Sequence, residues 1–454
     1  MTQKNVVQMV LPRQGADKFK FRRPCILVVI LGIWVILLLR SLHHVNKPST
    51  KLKDILTCAT DNLHDDLFIY LDTAKPIHAD EFFERRERLA QALVASDADA
   101  FVLEPGFAFQ YYGNTSQTDW EPWEPEERPF LMLILPQFSP SGDVSAKMAF
   151  LAPHFEEGRV RMLGIPSRGD ELDIIVWEEH WNPYATLLTW HLFANFSETT
   201  RRRAPRLVVD EEIRDFISRG LANAGFETVG LTPEVELIHQ IKSPAEVEIL
   251  RAVNTGTVAA VRATRPCLVP GLTENEVRDI LDQVLLSIGF DLFFNIVLFE
   301  ENGALPHGGF IVGTKKATED TMIVIDIGFF IDPAPSKGVS RVTIGLREEK
   351  LRVWQVVLEA QSAAAAALKP GKTAASVDIA ARSIIQNAGY AHESPYLNKW
   401  NREVRLQPGM TFTNEPGIYI EGKFGVRHED VYLVKEDGQA ELLTGRRAVS
   451  PYNP

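Results

Sequence analysis

Cysteine is nearly missing from this chain: Cys25, Cys58 and Cys267 are the only three in 454 residues. Cys25 lies in an apolar run, so at most one disulfide, Cys58 to Cys267, can form, and nothing in the sequence requires it. A basic, aromatic-laced stripe is missing from the globular part, and the formal net charge is -12. Together these exclude an unassisted nucleic-acid surface. A composition of 45% hydrophobic and 24% charged residues excludes a disordered chain. The length permits two ordinary domains with full cores.

One uninterrupted apolar run stands out, Cys25 to Leu39, preceded by Lys18, Lys20, Arg22 and Arg23. It is short beside the roughly 17–25 residues of a spanning helix, and flanking arginines extend such a run by snorkelling. Arg40, Ser41, Leu42 and His43 follow it, with no small-x-small cleavage site. The run reads as an uncleaved signal anchor, a cleaved signal peptide being the alternative. On this reading residues 1–24 are a cytosolic basic tail and residues 25–39 the transmembrane segment of a single-pass membrane protein. Everything after it is then lumenal or extracellular, where the sequons at Asn114 and Asn195 are open to glycosylation.

Residues 40–75 read as a polar stem. Over residues 76–240 helix-period and strand-period segments alternate, the pattern of an α/β domain. The acidic, aromatic stretch Asp119 to Pro129 reads as a solvated loop, with a substrate-facing flap as the alternative. A boundary falls at "HQIKSPAEVEILRAV", where Ser243 as N-cap, Pro244 at the first turn and Glu246 form a capping box. A second domain, residues 241–454, starts there.

That domain repeats itself. Pro270-Gly271-x-Thr273 recurs as Pro370-Gly371-x-Thr373, Val277 as Val377, and Gly289-Phe290 as Gly389-Tyr390. In each copy a helix reaches Pro-Gly, a Thr caps a second helix and a Gly closes it. Each copy then arrives at a strand ending in an acid, Asp326 in "TMIVIDIG" and Glu415 in "MTFTNEPG". The second copy is shorter, because nothing in it corresponds to the strand and loop "DLFFNIVLFEENGALPHGG" that end at His307.

The C-terminal stretch "MTFTNEPGIYIEGKFGVRHEDVYLV", Met410 to Val434, reads as a β-hairpin with Glu415 and Glu429 on neighbouring strands. Like charges facing across strands repel. Taken singly, the acid of "IDIG" reads as a turn residue and "HED" as an exposed face. Brought together by two related halves, Asp326, Glu415 and Glu429 form a buried trio that needs shared protons or a cation. An oxygen-rich set suits Mn²⁺, Co²⁺ or Zn²⁺, the machinery of amide hydrolysis.

"KSPAEVEILRAV", "ALPHGG", "IVIDIG", "HESPYL", "TNEPGIY" and "GVRHEDVYLV" together resemble the creatinase/aminopeptidase ("pita-bread") superfamily, nearest the Xaa-Pro aminopeptidases and prolidases. The resemblance runs from about residue 80 to about residue 450. It implies a creatinase-type α/β N-terminal domain followed by a pita-bread domain of two duplicated halves. In that family an Asp, Asp, His, Glu, Glu set holds a metal pair. The resemblance assigns Asp326, Glu415 and Glu429 to metal, with Glu415 also moving a proton. It places His307 and His392 on the substrate or the developing oxyanion and Arg427 beside the last acid, and these three with Glu415 form the expected catalytic set. Two positions depart from the pattern. Arg341 stands where the second Asp is expected, with Asp332 the nearest carboxylate, and no Gly-His-Gly-Ile-Gly loop occurs. The expectation is therefore a peptide-directed hydrolase with one divalent ion or none, a membrane anchor, and room for a homodimer. The alternative is a non-catalytic pseudo-peptidase, its acids neutralised by Arg341.

Overall fold

In the first sheet, strand alternation sends successive residues to opposite faces, and both faces are buried. Strands β1 (Ala100–Leu103), β2 (Leu131–Phe138), β3 (Val144–Pro153), β4 (Ile174–Trp177), β5 (Arg206–Val209) and β6 (Glu227–Val229) form one sheet in the order β4-β3-β2-β1-β5-β6. β1 pairs parallel to β5 and antiparallel to β2. Phe101, Leu103, Met132, Ile134 and Phe150 pack on one face against Leu89 and Leu93 of the helix Ala79–Ala95. Their alternates Val102, Leu131, Leu133 and Leu151 pack on the other, against Leu187, Ile217 and Leu221. The expected α/β organisation is present. This computed structural model describes residues 50–63, 71–116, 119–120, 129–169, 172–194, 203–309, 312–330, 348–390 and 398–452.

The capping box at Ser243 forms as its spacing requires: the Ser243 side chain accepts from the Glu246 amide, and Glu246 reaches back to the Ser243 amide at 2.7 Å. It starts the helix Pro244–Thr264 and also joins it to the first sheet's cover. Ser243 Oγ donates to Glu81 Oε1 at 2.7 Å. Buried Arg85 pairs with Glu81 at 2.5 Å and Glu246 at 3.2 Å, while its guanidinium lies 4.1 Å from the Tyr111 ring centroid.

His239 packs against Tyr111 and Tyr112 at the same junction, with ring centroids 4.7 and 5.4 Å away. Burial, then Lys242 and Arg85, pushes its pKa down to about 4 from 6.5. Because the folded value is depressed, the neutral ring's contribution is intact above pH 6.5 and is lost as pH falls through 4. The full loss is about 3 kcal/mol. His239→Phe is expected to keep its melting temperature better than the parent between pH 6.5 and 4, as thermal scans would show. Parallel pH profiles for the two proteins would contradict this.

The repeated Pro-Gly-x-Thr segments adopt the same local geometry. Thr273 and Thr373 accept from the amides of Glu276 and Ser376, capping the helices Glu274–Leu286 and Ala374–Asn387. Gly271 donates to Ala317 and Gly371 to Leu406, each at 2.8 Å. Gly289 and Gly389 close the two helices at φ of 81° and 85°, the left-handed region that favours glycine. The first helix leads to β7 (Asp291–Phe299), antiparallel to β8 (Ile323–Phe330). After the helix Glu348–Ala367 and its partner Ala374–Asn387 come β9 (Thr411–Asn414), β10 (Gly417–Ile420), β11 (Phe424–Arg427), β12 (Asp430–Val434) and β13 (Ala440–Leu442). β13, β12 and β9 form one small sheet, and β10 and β11 a hairpin.

Two expectations are corrected. Among the described residues no helix is long and apolar enough to cross a membrane. The longest of those set out above, Pro244–Thr264, carries Glu246, Glu248, Arg251 and Arg262. The run Cys25–Leu39 lies outside the described residues, and the single-pass placement with lumenal domains is not upheld. The stretch read as a polar stem contains a helix, Thr50–Leu63. Ile55, Ala59 and Leu63 recur at helical spacing and are buried, a stripe masked by the polar residues between them. The helix is joined to the body by a Cys58–Cys267 disulfide, and Asn62 donates to the Ala263 carbonyl at 3.0 Å.

Candidate active site

Pro416 carries no N–H, so the ladder that runs through Met410–Val434 breaks there. On one side β9 pairs with β12, Asn414 opposite Asp430; on the other β10 pairs with β11, Gly417 opposite Arg427. Both ladders keep one register, which sets Glu415 across from Glu429 at the break. His428 bridges the gap by donating its amide to the Pro416 carbonyl at 3.3 Å. The hairpin expected from the sequence is present, and its two acids do face each other.

Asp326 comes from the other half. It lies in the middle of β8, opposite Ile296, and is buried. The end-of-strand position read from "IDIG" is therefore corrected: Gly328 and the residues after it continue the strand. Two packing constraints set β11 close by. A Cβ on Gly425 would lie 2.0 Å from the Gly303 carbonyl oxygen, so only glycine lets β11 approach the turn after β7. Trp354, from the helix Glu348–Ala367, meets the buried His428 ring edge to face at 4.6 Å.

The cation among these acids is Arg427. Its guanidinium pairs with Asp326 Oδ2, and it stands 3.7 Å from Glu415 Oε2 and 3.5 Å from Glu429 Oε2. Arg427 and Glu429 share a strand face by the two-residue period. The side chains of Arg427 and Glu429 are each 4% exposed, that of Asp326 is 7% exposed and that of Glu415 23% exposed. The resemblance counts Arg427 among the catalytic residues, beside the last acid, and the neutralising role falls to Arg341; the structure puts Arg427 itself among the acids. Arg341, Asp332 and His392 lie outside the described residues. His307 is exposed, in the loop after the turn Glu300–Ala304, and no hydrogen bond or ion pair among the described residues joins it to the acids.

A model of metallopeptidase family M24 matches residues 248–436. An uncharacterised peptidase of Schizosaccharomyces pombe is 35% identical over 407 residues, covering 85% of this chain and 86% of that protein. The chain belongs to metallopeptidase family M24. A probable dipeptidase PepE of Mycobacterium tuberculosis is 34% identical over 242 residues, 49% of this chain and 64% of its own length. Among solved structures, dipeptidase PepE from Mycobacterium ulcerans superposes with a TM-score of 0.68 at 24% identity, over 82% of this chain and 98% of that one. The prolidase from Pyrococcus furiosus does so with a TM-score of 0.60 at 22% identity, over 79% and 99%. The fold is the mixed α/β fold of the pita-bread prolidases.

M24 peptidases generally use divalent ions such as Mn, Co or Zn. The residues of this M24 chain fit such an ion in donor chemistry, for three carboxylates offer the hard oxygens that Mn²⁺ takes. In arrangement, all three face the Arg427 guanidinium. Among the described residues no group of three or more His, Cys, Asp or Glu is arranged to hold a metal. Asp326, Glu415 and Glu429 are the side chains that would hold an ion once Arg427 is displaced. When bound, such an ion lowers the pKa of a water and polarises a carbonyl. Glu415, the most exposed of the three, accepts from Thr413 Oγ1 at 2.8 Å.

Sequence reasoning missed a polar network on the opposite strand face. Gln361 Nε2 donates to Asp430 Oδ2 at 2.9 Å, and Asn414 Nδ2 donates to the Gln361 carbonyl at 2.8 Å. Thr444 Oγ1 donates to Asp430 Oδ1, and Arg447 donates to Gln361 Oε1 at 2.8 Å. Burial, opposed by the Thr444 bond and then Arg447, holds the Asp430 carboxyl above the usual carboxylate range. The one signal available was a Gln beside the alanine-rich end of a helical run, "VVLEAQSAAAAA".

Proposed function

We propose that this M24 chain recognises short peptides with proline in second position and hydrolyses the bond before that proline when its acid cluster takes up a divalent ion. The observation that carries the reading is the convergence of Asp326, Glu415 and Glu429 from two halves of the chain on one buried cationic point. The activity class accords with the relatives, which include a protein named as an Xaa-Pro dipeptidase from Pyrococcus furiosus, 32% identical over 225 residues. We read the ligand set as reduced to these three acids, since Arg341 replaces the second Asp and the Gly-His-Gly-Ile-Gly loop is missing from the sequence. His307 and His392 keep the substrate-facing roles that the resemblance implies, and Arg427 stands with the acids.

A second reading, a peptide-binding pseudo-peptidase, is favoured by one observation: Arg427 already occupies the point where the ion would sit. One assay separates the two. Tripeptides with proline or alanine in second position are incubated with the full chain and saturating Mn²⁺, and release of the first residue is followed. The hydrolase reading expects proline-dependent release that chelator removes and Glu429→Gln abolishes. Binding of the proline peptide without release would establish the second reading instead, and neither binding nor release would overturn both.

A further inference from the structure

We infer that Gln361 is the positioning residue that sets the spacing of Glu415 and Glu429. The inference rests on reading this cluster as the reaction centre. The two acids stand at a break in the ladder, where Pro416 withholds a backbone donor; strand register and the His428 amide to the Pro416 carbonyl at 3.3 Å face them across it but fix their spacing only loosely. The residues immediately beyond the break, Asn414 and Asp430, are the last registered pair of the β9–β12 ladder.

Gln361 holds both members of that pair. Its Nε2 reaches Asp430 Oδ2 at 2.9 Å and the Asn414 carbonyl at 3.3 Å, and its own carbonyl accepts from Asn414 Nδ2 at 2.8 Å. Gln361 and Asn414 are 1% and 3% exposed. Gln361 is itself held by Arg447, whose guanidinium also donates to the Leu358 carbonyl at 3.0 Å and Ser362 Oγ at 2.9 Å. Thr444 Oγ1 closes the network on Asp430 Oδ1. Every polar atom of the Gln361 side chain is thus engaged by an element other than its own helix. Alternation turns Asn414 and Asp430 toward Gln361 and turns Glu415 and Glu429 the opposite way, toward Arg427. One side chain therefore fixes, through two adjacent backbone positions, how far apart the acids lie.

The test uses the full chain with ¹⁵N-labelled arginine, and reads hydrogen exchange at Arg427 Nε, which faces Glu429 at 3.5 Å. Arg427→Lys assigns the resonance. In Gln361→Met the exchange is expected to quicken by about tenfold or more, as a locally opened site would show. Ile385→Val, a core change in the helix Ala374–Asn387 chosen as the stability control, is expected to leave it unaltered. Mn²⁺ affinity, titrated with the metal alone, is expected to fall by about 10–100-fold in Gln361→Met only. If Gln361→Met fails to fold, Asp430→Asn weakens the same link at constant shape and is read the same way. Unchanged exchange in the folded variant overturns the positioning role whether or not the metal binds. Absence of Mn²⁺ binding to the parent overturns the metal reading alone, and the exchange result still decides the role of Gln361.

Discussion

Arg427→Met is expected to lose about 3–5 kcal/mol of stability in metal-free buffer, because removing one partner leaves buried charge uncompensated. The loss should be large because Arg427 faces three acids and the Asp326 and Glu429 side chains beside it are nearly inaccessible to water. The same variant is expected to regain stability with Mn²⁺, since the ion then meets no competing guanidinium. At a free concentration about a hundred times the dissociation constant the gain is about 2.7 kcal/mol. Urea titrations with and without MnCl₂ measure both effects. A loss under about 1 kcal/mol would deny Arg427 its role as counter-charge, that being the range of an exposed pair. A variant destabilised as expected but indifferent to Mn²⁺, Co²⁺ and Zn²⁺ would remove the metal from the proposed function.

Loss of the Cys58–Cys267 bridge is the second large effect. The bond closes a loop spanning a sequence separation of 209. Loop-closure entropy puts its contribution at about 5 kcal/mol, and native bridges commonly realise about 2–4. Most of the loss is expected to come through the unfolded chain, with the helix Thr50–Leu63 keeping its apolar stripe and its Asn62 bond to Ala263. The double variant Cys58→Ala, Cys267→Ala should therefore stay folded with a lower melting temperature, and a thiol reductant should lower the parent to the same value. Equal melting of parent and double variant under oxidising conditions would mean that the bridge does not form in solution.

Much of the framework was legible because it depends on neighbours in the chain. The Ser243-Pro244-x-Glu246 capping box and the Thr273 cap after Pro270-Gly271 announced their helices through caps that need only local geometry. Alternation in "MTFTNEPGIYIEGKFGVRHEDVYLV" announced paired strands with an acid on each. The helix Thr50–Leu63 was missed because a stripe of three buried residues among polar ones is weak without its partner surface. The Gln361 network was missed because its members come from four separate segments, and a single Gln or Arg carries no periodic signal.

The sequence by itself determined the family, the helix caps, the pairing of strands within Met410–Val434 and the choice of three acids, all properties of residue type and near spacing. Only the tertiary structure decided which cation stands among those acids. Arg427 meets Asp326 across a separation of 101 residues, and that encounter depends on how β8 and β11 are brought together by Gly425 and by the packing of Trp354 on His428. Side-chain direction along a strand is local, but the charge that a side chain faces is set by whatever the fold places opposite it.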